Sequence, residues 1–348
     1  MSPHFLRISQ VMVFLLALVQ GIAGEIMLDL GSDSQRLLVQ MLPNLGGKIT
    51  SVKDGNGREY LSRSPRPYRA RNYGLKFAED TEFDGLDECF PTVSPCVIPS
   101  GPFKGVEIPD HGELCQIPWE VTSEMAQHSM EAQGVRLPYL FRRTILLNVI
   151  DTSVIFNYRV LNLGDQPIPY IYAFHPLFEG RDNMRLDIPD ETPVLVPFSS
   201  GDFLGKPGSV MRFGDLKDGA GLPFKDNVFK KNSGRFWKFV AGPLKVGQTA
   251  LHFKEGDGVA LEWDRDVLPY LAVWCTEGGV MNLHHIGLEP TTGPDDDLSV
   301  AMNRGTARSL PARAAQTWSI RLRLLGQGEA APPKPDQDVK VRRRKLSD

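Results

Sequence analysis

The chain has 348 residues, a formal net charge of −3 and a hydrophobic content of 41%. That length and apolar fraction suit one large or two ordinary globular domains with a sizeable core. The balanced charge gives no reason to expect nucleic acid as a partner. Glycine and proline are abundant, at 33 and 27 residues, and no long stretch shows the regular apolar period of an amphipathic helix. The composition therefore favours many short strands and turns.

The first 24 residues have the layout of a signal peptide. A weakly basic start precedes an apolar run at residues 11–19, and the small residues Gly21, Ala23 and Gly24 follow it. The run is too short for a convincing membrane span. We therefore expect an exported protein, periplasmic or extracellular, with no membrane contact once the leader is removed. The alternatives are a buried N-terminal strand or a mis-chosen start, and the protein would then be cytoplasmic.

The cysteines do not decide the compartment. An even number suits an oxidising environment, but their spacing matches no zinc pattern and leaves their pairing open. They are Cys89, Cys96, Cys115 and Cys275.

Residues 327–348 include few that a core would bury, and they contain a basic cluster at 342–345. We interpret this segment as a disordered tail, the alternative for its basic cluster being contact with an acidic surface. Neither a linker nor a repeat of fixed period divides the chain between the leader and the tail. The predicted organisation is a leader at 1–24, one domain at 25–326 and a tail at 327–348.

The first half of the predicted domain combines strands with one long irregular segment. Strands are predicted at 36–42 and 46–52, and the Asp-Gly-Asn-Gly sequence at 54–57 predicts a hairpin turn, because Asn and Gly tolerate positive φ. From 62 to 109 the periodicity fades while aromatic residues persist. Such segments are usually disordered or functional, and the aromatic residues favour an ordered one.

The second half is predicted to consist of antiparallel strands and a single short helix. Apolar alternation at 141–149 and 154–160, around a turn at 151–153, indicates a hairpin. Residues 295–305 are predicted to form the helix, with acids at its positive end and Gly305 at its C-cap. Further strands are expected at 168–174, 235–240, 250–253, 259–263, 270–275 and 316–324. We therefore predict an all-β fold in which antiparallel strands pack as a large sandwich.

Residues 284–294 form an apolar run that stops at one acid, Glu289. Pro290 lacks an N–H and restrains the residue before it, so Glu289 is predicted to be the last extended residue, at the rim of the sheet. Alternation places Glu289, Gly287 and His285 on one face, where Gly287 leaves a gap for a flat ligand. Taken alone, this stretch is explained equally well by a hydrated glutamate at a strand end.

Three segments place an ionisable side chain beside residues that restrict the backbone. They contain His111 within 109–113, His175 within 174–178 and Glu289 within 288–290. The strand before His175 is predicted to end there, as at Glu289. Two imidazoles and one carboxylate can act together as a general acid–base set near neutral pH. Each histidine alone is also explained as a structural residue, and it is the combination that favours chemistry.

The order and spacing of these segments resemble the aldose 1-epimerase (galactose mutarotase-like) family. The resemblance runs from about Leu37 to Leu324 and rests on short motifs that occur in the family's order. The motifs are Gly46-Gly47-Lys48-Ile49 with Val52, His111-Gly112 with Trp119-Glu120-Val121, Phe174-His175-Pro176-Leu177-Phe178, and Glu289-Pro290 with Pro294-Asp295. The resemblance implies a large antiparallel β-supersandwich of the galactose mutarotase-like type, whose concave face binds a sugar.

Carried over to the matching positions, the resemblance implies that Glu289 is a general base, His175 a general acid and His111 a second hydrogen-bonding partner of the sugar. Such an enzyme removes the proton of the C1 hydroxyl and protonates the ring oxygen, so that the ring opens and recloses on the opposite face. A carboxylate and an imidazolium on opposite sides of the sugar ring are expected to do this without metal or other cofactor.

The residues that would hold the sugar are less sharply defined. The resemblance implies a sugar-binding arginine, for which Arg71 and Arg69 are both candidates. Asp84 belongs to a segment that fits a substrate loop, although its acids are equally explained as solvated. Trp119 is a candidate for stacking on the sugar or, alternatively, a core residue. His285, on the face of Glu289, is a candidate for lining the pocket.

A metal site is not expected. His284 and His285 are adjacent on a predicted strand and therefore point to opposite faces, so they cannot chelate one ion together. The three acids at 295–297 lack the spacing of a calcium-binding loop.

Three candidate functions remain. The leading one is an isomerase that interconverts the α and β anomers of an aldose, with a small-molecule sugar as partner and a monomer or dimer as the active form. The alternatives are a sugar-phosphate (hexose-6-phosphate) 1-epimerase, which needs a cation for the phosphate, and a non-catalytic carbohydrate-binding protein that uses the same cleft. Residues 65–87 mix basic and acidic side chains so that their charge nearly cancels, which favours a neutral sugar.

Overall fold

The computed structural model describes residues 14–16, 25–31, 36–122, 128–218 and 220–326. Most of the predicted leader and all of the predicted tail at 327–348 lie outside these ranges, so export and the disordered tail stay predictions. Within the leader, Phe14–Leu16 form a strand that pairs with the one at Glu25–Leu30. Nowhere in the described ranges is a helix long and apolar enough to cross a membrane.

Strands dominate the described residues, and helices are few and short. In chain order the strands are β1 (Phe14–Leu16), β2 (Glu25–Leu30), β3 (Leu37–Leu42), β4 (Lys48–Lys53), β5 (Leu86–Cys89), β6 (Cys96–Val97), β7 (Glu107–Ile108), β8 (Glu120–Val121), β9 (His128–Gln133), β10 (Tyr139–Asn148), β11 (Ser153–Asn162), β12 (Ile168–Tyr170), β13 (Ala173–Glu179), β14 (Arg185–Asp187), β15 (Pro193–Ser199), β16 (Ser209–Arg212), β17 (Phe236–Ala241), β18 (Gln248–His252), β19 (Gly258–Trp263), β20 (Tyr270–Glu277), β21 (His284–Thr291), β22 (Arg308–Leu310) and β23 (Ala315–Leu325). The α-helices are α1 (Phe77–Asp80) and α2 (Leu298–Arg304), and short 3-10 turns lie at Pro43–Leu45, Leu114–Gln116, Ser200–Asp202, Phe213–Asp215 and Phe224–Asp226.

Two large antiparallel sheets carry the fold of the described residues. The first has the strand order β1-β2-β3-β4-β5-β13-β21-β20-β17-β15-β16, and the second has the order β14-β18-β19-β23-β11-β10-β9-β8. Two small sheets, β12-β22 and β6-β7, accompany them. The all-β prediction is therefore confirmed, as is the predicted hairpin, which is formed by β10 and β11.

The two sheets pack their apolar faces together. In β23 the alternation expected from the sequence is present, with Trp318, Ile320 and Leu322 buried. Aromatic rings fill the space between the sheets: the ring of Phe156 on β11 lies 5.3 Å from that of Phe174 on β13. Because side chains alternate along a strand, the neighbours of Phe174 on β13 point the other way, towards the opposite face of the first sheet.

The helix predicted at 295–305 is present as α2 and has the expected caps. The Asp297 carboxylate accepts hydrogen bonds from the N–H groups of Ser299 and Val300 at the N-terminus, and Gly305 ends the helix with a φ of 71°. These are the usual ways to satisfy the free backbone groups at helix ends.

Two predictions about the strands are wrong. The segment 62–109 is not irregular throughout, since it contains β5, which is paired with β13 in the middle of the first sheet. His175 and Glu289 are not at the ends of their strands either, because β13 continues to Glu179 and β21 continues to Thr291. Pro176 and Pro290 lie inside the sheet, where each strand stays paired on its other side, with β5 or β20.

Candidate active site

The centre of the candidate site is a glutamate and a histidine on neighbouring strands. The register that pairs Ala173 with Thr291 places His175 of β13 opposite Glu289 of β21. Glu289 Oε1 lies 3.6 Å from His175 Nε2, and both side chains are buried. This separation lets both groups reach neighbouring atoms of one substrate, as general acid–base chemistry requires.

The carboxylate and the imidazole are side by side. The expectation that they would lie on opposite sides of a sugar ring is therefore wrong, since a separation of 3.6 Å leaves no space for a ring between them. The adjacent arrangement still suits ring opening, because the hydroxyl oxygen and the ring oxygen of an aldose are both bonded to C1.

His111 joins this pair from a loop. Its ring centroid lies 5.2 Å from that of His175, edge to face, and its Nδ1 lies 2.8 Å from Asp110 Oδ1. The backbone at His111 has a φ of 58°, and the next residue, Gly112, has a φ of 73°. A Cβ at Gly112 would lie only 2.2 Å from the carbonyl oxygen of Phe90. Glycine therefore permits the tight turn that brings His111 to the sheet.

His285 lies on the same face of β21 as Glu289, as predicted, and is fully buried. Its Nε2 accepts a hydrogen bond from the indole N–H of Trp274 at 3.0 Å. Gly287, between His285 and Glu289, does not leave a gap for a ligand: a Cβ there would lie 2.9 Å from Glu289 Oε1 and 3.2 Å from Leu177 Cδ2. The space beside the glycine is thus used by the carboxylate itself and by a leucine.

Arg71 is buried next to the site but is already paired. Its guanidinium lies 2.8 Å from Asp87 Oδ1 and 3.1 Å from Glu82 Oε2, and its side chain is 2% exposed. It also donates a hydrogen bond to the carbonyl oxygen of Cys115. Asp87 is the register neighbour of His175 in β5, so this ion-pair network borders the acid–base pair. Any ligand that reaches Arg71 therefore meets a cation whose charge two carboxylates offset.

Asp84 is buried and hydrogen-bonded, so the alternative that it is a solvated acid is wrong. Its Oδ2 accepts hydrogen bonds from the Ser64 N–H and the Tyr68 hydroxyl, and its Oδ1 lies 3.3 Å from Lys48 Nζ. These contacts fasten the segment 64–84 to β4. Arg69, by contrast, is exposed, and its backbone N–H donates to a Glu82 oxygen.

Trp119 is a core residue, and the expectation that it stacks on a sugar is wrong. Only 2% of it is exposed, and its indole N–H donates to the carbonyl oxygen of Leu114. The ring packs on Gly47 and beneath the guanidinium of Arg143, whose Cζ lies 4.9 Å from the ring centroid. A large aromatic side chain enclosed in this way has no face left for a ligand.

Lys238 is a site residue that the sequence interpretation missed. It lies on β17, and its Nζ is 3.1 Å from Glu289 Oε2 and 2.9 Å from Asp296 Oδ1. The strand β20 separates β17 from β21, and there the residue opposite Glu289 is Ala272. Its small side chain leaves room for the lysine to reach across the strand. Only the order of strands brings the two residues together, and no local pattern in the sequence gives that order.

Burial governs the protonation of the central pair. It lowers the pKa of His175 well below 6.5, and the positive charges of His111 and Lys238 lower it further. Burial raises the pKa of Glu289 above 4.5, while Lys238 opposes that rise. Burial also lowers the pKa of His285 to about 3, so that this imidazole stays neutral. These opposite shifts are the expected result of moving charged groups out of water.

Aromatic rings cover the histidines. Phe77 of α1 stacks on His111 with a ring separation of 3.8 Å and meets His175 edge to face at 5.7 Å. Phe83 meets His285 at 4.9 Å. A cleft of about 590 Å³ lies beside this aromatic cover and is lined by residues that include Ala78, Asp110 and Arg136. The cleft reaches Asp110, the partner of His111, and thus approaches the site from its loop side.

Neither a metal cluster nor a disulfide accompanies the site within the described ranges. No group of three or more His, Cys, Asp or Glu side chains there is arranged to hold a metal ion. All four cysteines, which lie inside those ranges, are free thiols.

Comparison with solved structures gives consistent results at low sequence identity. A putative aldose 1-epimerase from Klebsiella pneumoniae superposes with a TM-score of 0.67 at 16% identity, covering 91% of this chain and 84% of its own. A putative aldose 1-epimerase from Escherichia coli K12 gives 0.61 at 16% identity, with 86% and 99% covered. A galactose mutarotase related enzyme from Lactobacillus acidophilus gives 0.60 at 14%, with 88% and 100% covered.

The chain has the galactose mutarotase-like fold. This agrees with the resemblance found in the sequence and with the predicted large antiparallel sandwich. No protein-family profile matches the chain, and no curated protein matches it. At these identities the mutarotase-like fold is what the structural comparison establishes, and function rests on the site itself.

Proposed function

We propose that the chain is a carbohydrate epimerase that interconverts the α and β anomers of an aldose by general acid–base ring opening. The observation that carries this proposal is the 3.6 Å contact between Glu289 Oε1 and His175 Nε2, buried at adjacent positions of the central strands. A mutarotase-like fold around this pair supports the same reaction, since solved structures with that fold include putative aldose 1-epimerases from Escherichia coli K12 and Klebsiella pneumoniae.

In the proposed reaction Glu289 Oε1 takes the proton of the C1 hydroxyl. The released electron pair forms the C1 carbonyl while the bond from C1 to the ring oxygen breaks, and the ring oxygen takes a proton from His175. Rotation about C1–C2 then presents the other face of the carbonyl. Reclosure reverses these two proton transfers. Glu289 returns its proton to the new C1 hydroxyl oxygen, and the hydroxyl that becomes the ring oxygen gives its proton back to His175. Acid and base are thereby regenerated.

His111 is proposed to hold the sugar. Its Nδ1 lies against the Asp110 carboxylate at 2.8 Å, and a carboxylate accepts hydrogen bonds, so Nδ1 carries the proton that it shares with Asp110. Burial is the largest effect on the pKa of Asp110 and tends to raise it, but the hydrogen bond and charge of His111, together with the backbone N–H groups of Phe77 and His111, keep that pKa below 3.8. The other nitrogen, Nε2, is then available as a hydrogen-bonding partner of a sugar hydroxyl.

The test is the rate of anomer equilibration in the variant Glu289→Gln. The amide keeps the shape of the side chain and cannot act as a base, so mutarotation measured by polarimetry should fall by about a hundredfold or more. Sugar binding, followed by ligand-observed NMR, should remain measurable. The control is Glu179→Gln, because Glu179 lies on β13 but is half exposed and paired with Arg181.

Two results would contradict the proposal. A Glu289→Gln protein as fast as the wild type would remove the assigned base. A wild-type protein that binds sugars without accelerating their equilibration would be a carbohydrate-binding protein and not an epimerase.

A further inference from the structure

Lys238 is the cation nearest to the proposed base. Its side chain is 5% exposed, and its Nζ touches one oxygen each of Glu289 and Asp296, at 3.1 and 2.9 Å. A buried ammonium without anionic partners is strongly unfavourable. The two carboxylates therefore fix the position of the ammonium, and the ammonium in turn fixes the orientation of both carboxylates.

The contact makes the two oxygens of Glu289 different. Oε2 is bound by Lys238, whereas Oε1 is buried, faces His175 and has no hydrogen-bond partner among the described residues. A buried acceptor without a partner costs free energy unless something else binds there. The arrangement points to Oε1 as the atom that meets the substrate.

We propose that Lys238 is a positioning residue for mutarotation: its ammonium binds Oε2 of Glu289 and so presents Oε1 to the proton of the C1 hydroxyl. This inference rests on the proposed function. It assigns a role to a residue on β17 that none of the motifs in the sequence includes, and it predicts that the charge of Lys238 matters more than its volume.

The charges around Glu289 support this role. Burial tends to lower the pKa of Lys238, but the carboxylates of Asp296 and Glu289 outweigh it, so the pKa lies above its ordinary value and the lysine stays charged. Lys238 is thus not a base, and its charge favours the ionised form of Glu289. Five titratable groups interact electrostatically with Glu289. They are Lys238 from β17, Asp296 from the loop before α2, His111 from its loop, His175 from β13 and Cys89 from β5.

The experiment compares kcat/KM against pH for the wild type, Lys238→Met and Lys238→Arg. Lys238→Met keeps most of the volume and loses the charge, so kcat/KM should fall at least about tenfold. Its acid limb should move to higher pH, because Glu289 becomes harder to ionise. Lys238→Arg keeps the positive charge, so most of the wild-type rate and most of the wild-type position of the acid limb should return. The control is Lys225→Met, since Lys225 pairs with Asp190 on the surface.

The outcomes separate this inference from the proposed function. Wild-type activity with the same acid limb in Lys238→Met would overturn the role of Lys238 and leave the epimerase intact. An inactive wild type would overturn both. If Lys238→Met does not fold, Lys238→Gln is the variant to measure. A carbon NMR titration of labelled glutamate, with Glu289→Gln to identify the signal, gives a readout free of turnover: an unchanged Glu289 titration would contradict the inference.

Discussion

His175 and Glu289 face each other where the hydrogen-bond ladder between their strands is interrupted. The pairing of β13 with β21 joins Ala173 to Thr291 and resumes only at Leu177 and Gly287. Each strand carries a proline in this interval, and proline has no N–H to donate. The prolines therefore remove backbone bonds at the position where the two functional side chains meet.

The rate of the reaction should pass through a maximum as pH increases, because each member of the pair contributes one limb to the pH profile. Glu289 must be ionised, and burial places its pKa above 4.5, so the rate rises as pH increases through that pKa. His175 must be protonated, and burial places its pKa below 6.5, so the rate falls as pH increases through that value. Because the groups are coupled, the two limbs belong to the pair. A rate that stays constant from acid to alkaline pH, measured by polarimetry, would contradict this assignment.

Phe77 should control the alkaline limb. Its ring contacts both His111 and His175, and burial is the largest cause of the low pKa of His175. In Phe77→Ala, water reaches the imidazole, so its pKa should rise and the alkaline limb should move to higher pH. The control is Phe103→Ala, the same change in the β6–β7 hairpin. An alkaline limb that stays in place in Phe77→Ala would show that the aromatic cover does not set this pKa.

The local features of the site could be predicted from the sequence. Alternation along a strand is a local property, so the shared face of His285, Gly287 and Glu289 followed from the order of residues alone. The strand ends did not follow, because Pro176 and Pro290 predicted boundaries that hydrogen bonds to β5 and β20 override. Whether a proline ends a strand depends on its neighbours in the sheet, which local sequence does not specify.

Contacts between distant strands could not be predicted. Lys238 meets Glu289 only because β17 lies two strands from β21, and the pairing of Arg71 with Asp87 depends on the position of β5, a strand that was not expected. Trp119 was misassigned for a related reason: composition cannot show that a second sheet encloses an aromatic ring. The order of the strands in the sheets, which local sequence does not specify, brings these residues to their partners.

A buried polar network beneath the site should be important for stability. Arg143 and Glu88 are both fully buried and lie 3.0 Å apart, and the hydroxyls of Tyr158 and Tyr172 also donate to Glu88. In Arg143→Met the carboxylate loses its counter-ion in the core, so the free energy of unfolding should fall by about 3–5 kcal/mol. Urea denaturation measures this change.

The control for that prediction lies one residue away. Arg142 alternates to the exposed face of β10 and pairs with Glu131, so Arg142→Met should cost less than about 1 kcal/mol. The double variant Glu88→Gln with Arg143→Met should recover part of the loss, because no unpaired charge remains. Equal losses of unfolding free energy in Arg142→Met and Arg143→Met would show that the buried ion pair contributes no more to stability than the exposed one.

The substrate should be a neutral hexose and not its 6-phosphate. A phosphate needs a cation whose charge is available, and the two cations buried beside Asp87 are already paired: Arg71 with Glu82 and Asp87, and Lys48 with Asp84 and Asp87. A panel of α-anomers followed by polarimetry or NMR should therefore show faster equilibration of neutral hexoses.

Two arginine variants test the reason for that preference. Arg71→Ala leaves Asp87 with one partner fewer beside His175, so the rate should fall for every sugar alike. Arg69→Ala removes an exposed side chain and should change the rates of neutral sugars little. A preference for the 6-phosphate that disappears in either variant would instead identify that arginine as a phosphate ligand, and the enzyme as a sugar-phosphate epimerase. The comparison is decisive because a loss common to all sugars and a loss confined to phosphates have different physical causes, one in the positioning of His175 and the other in binding.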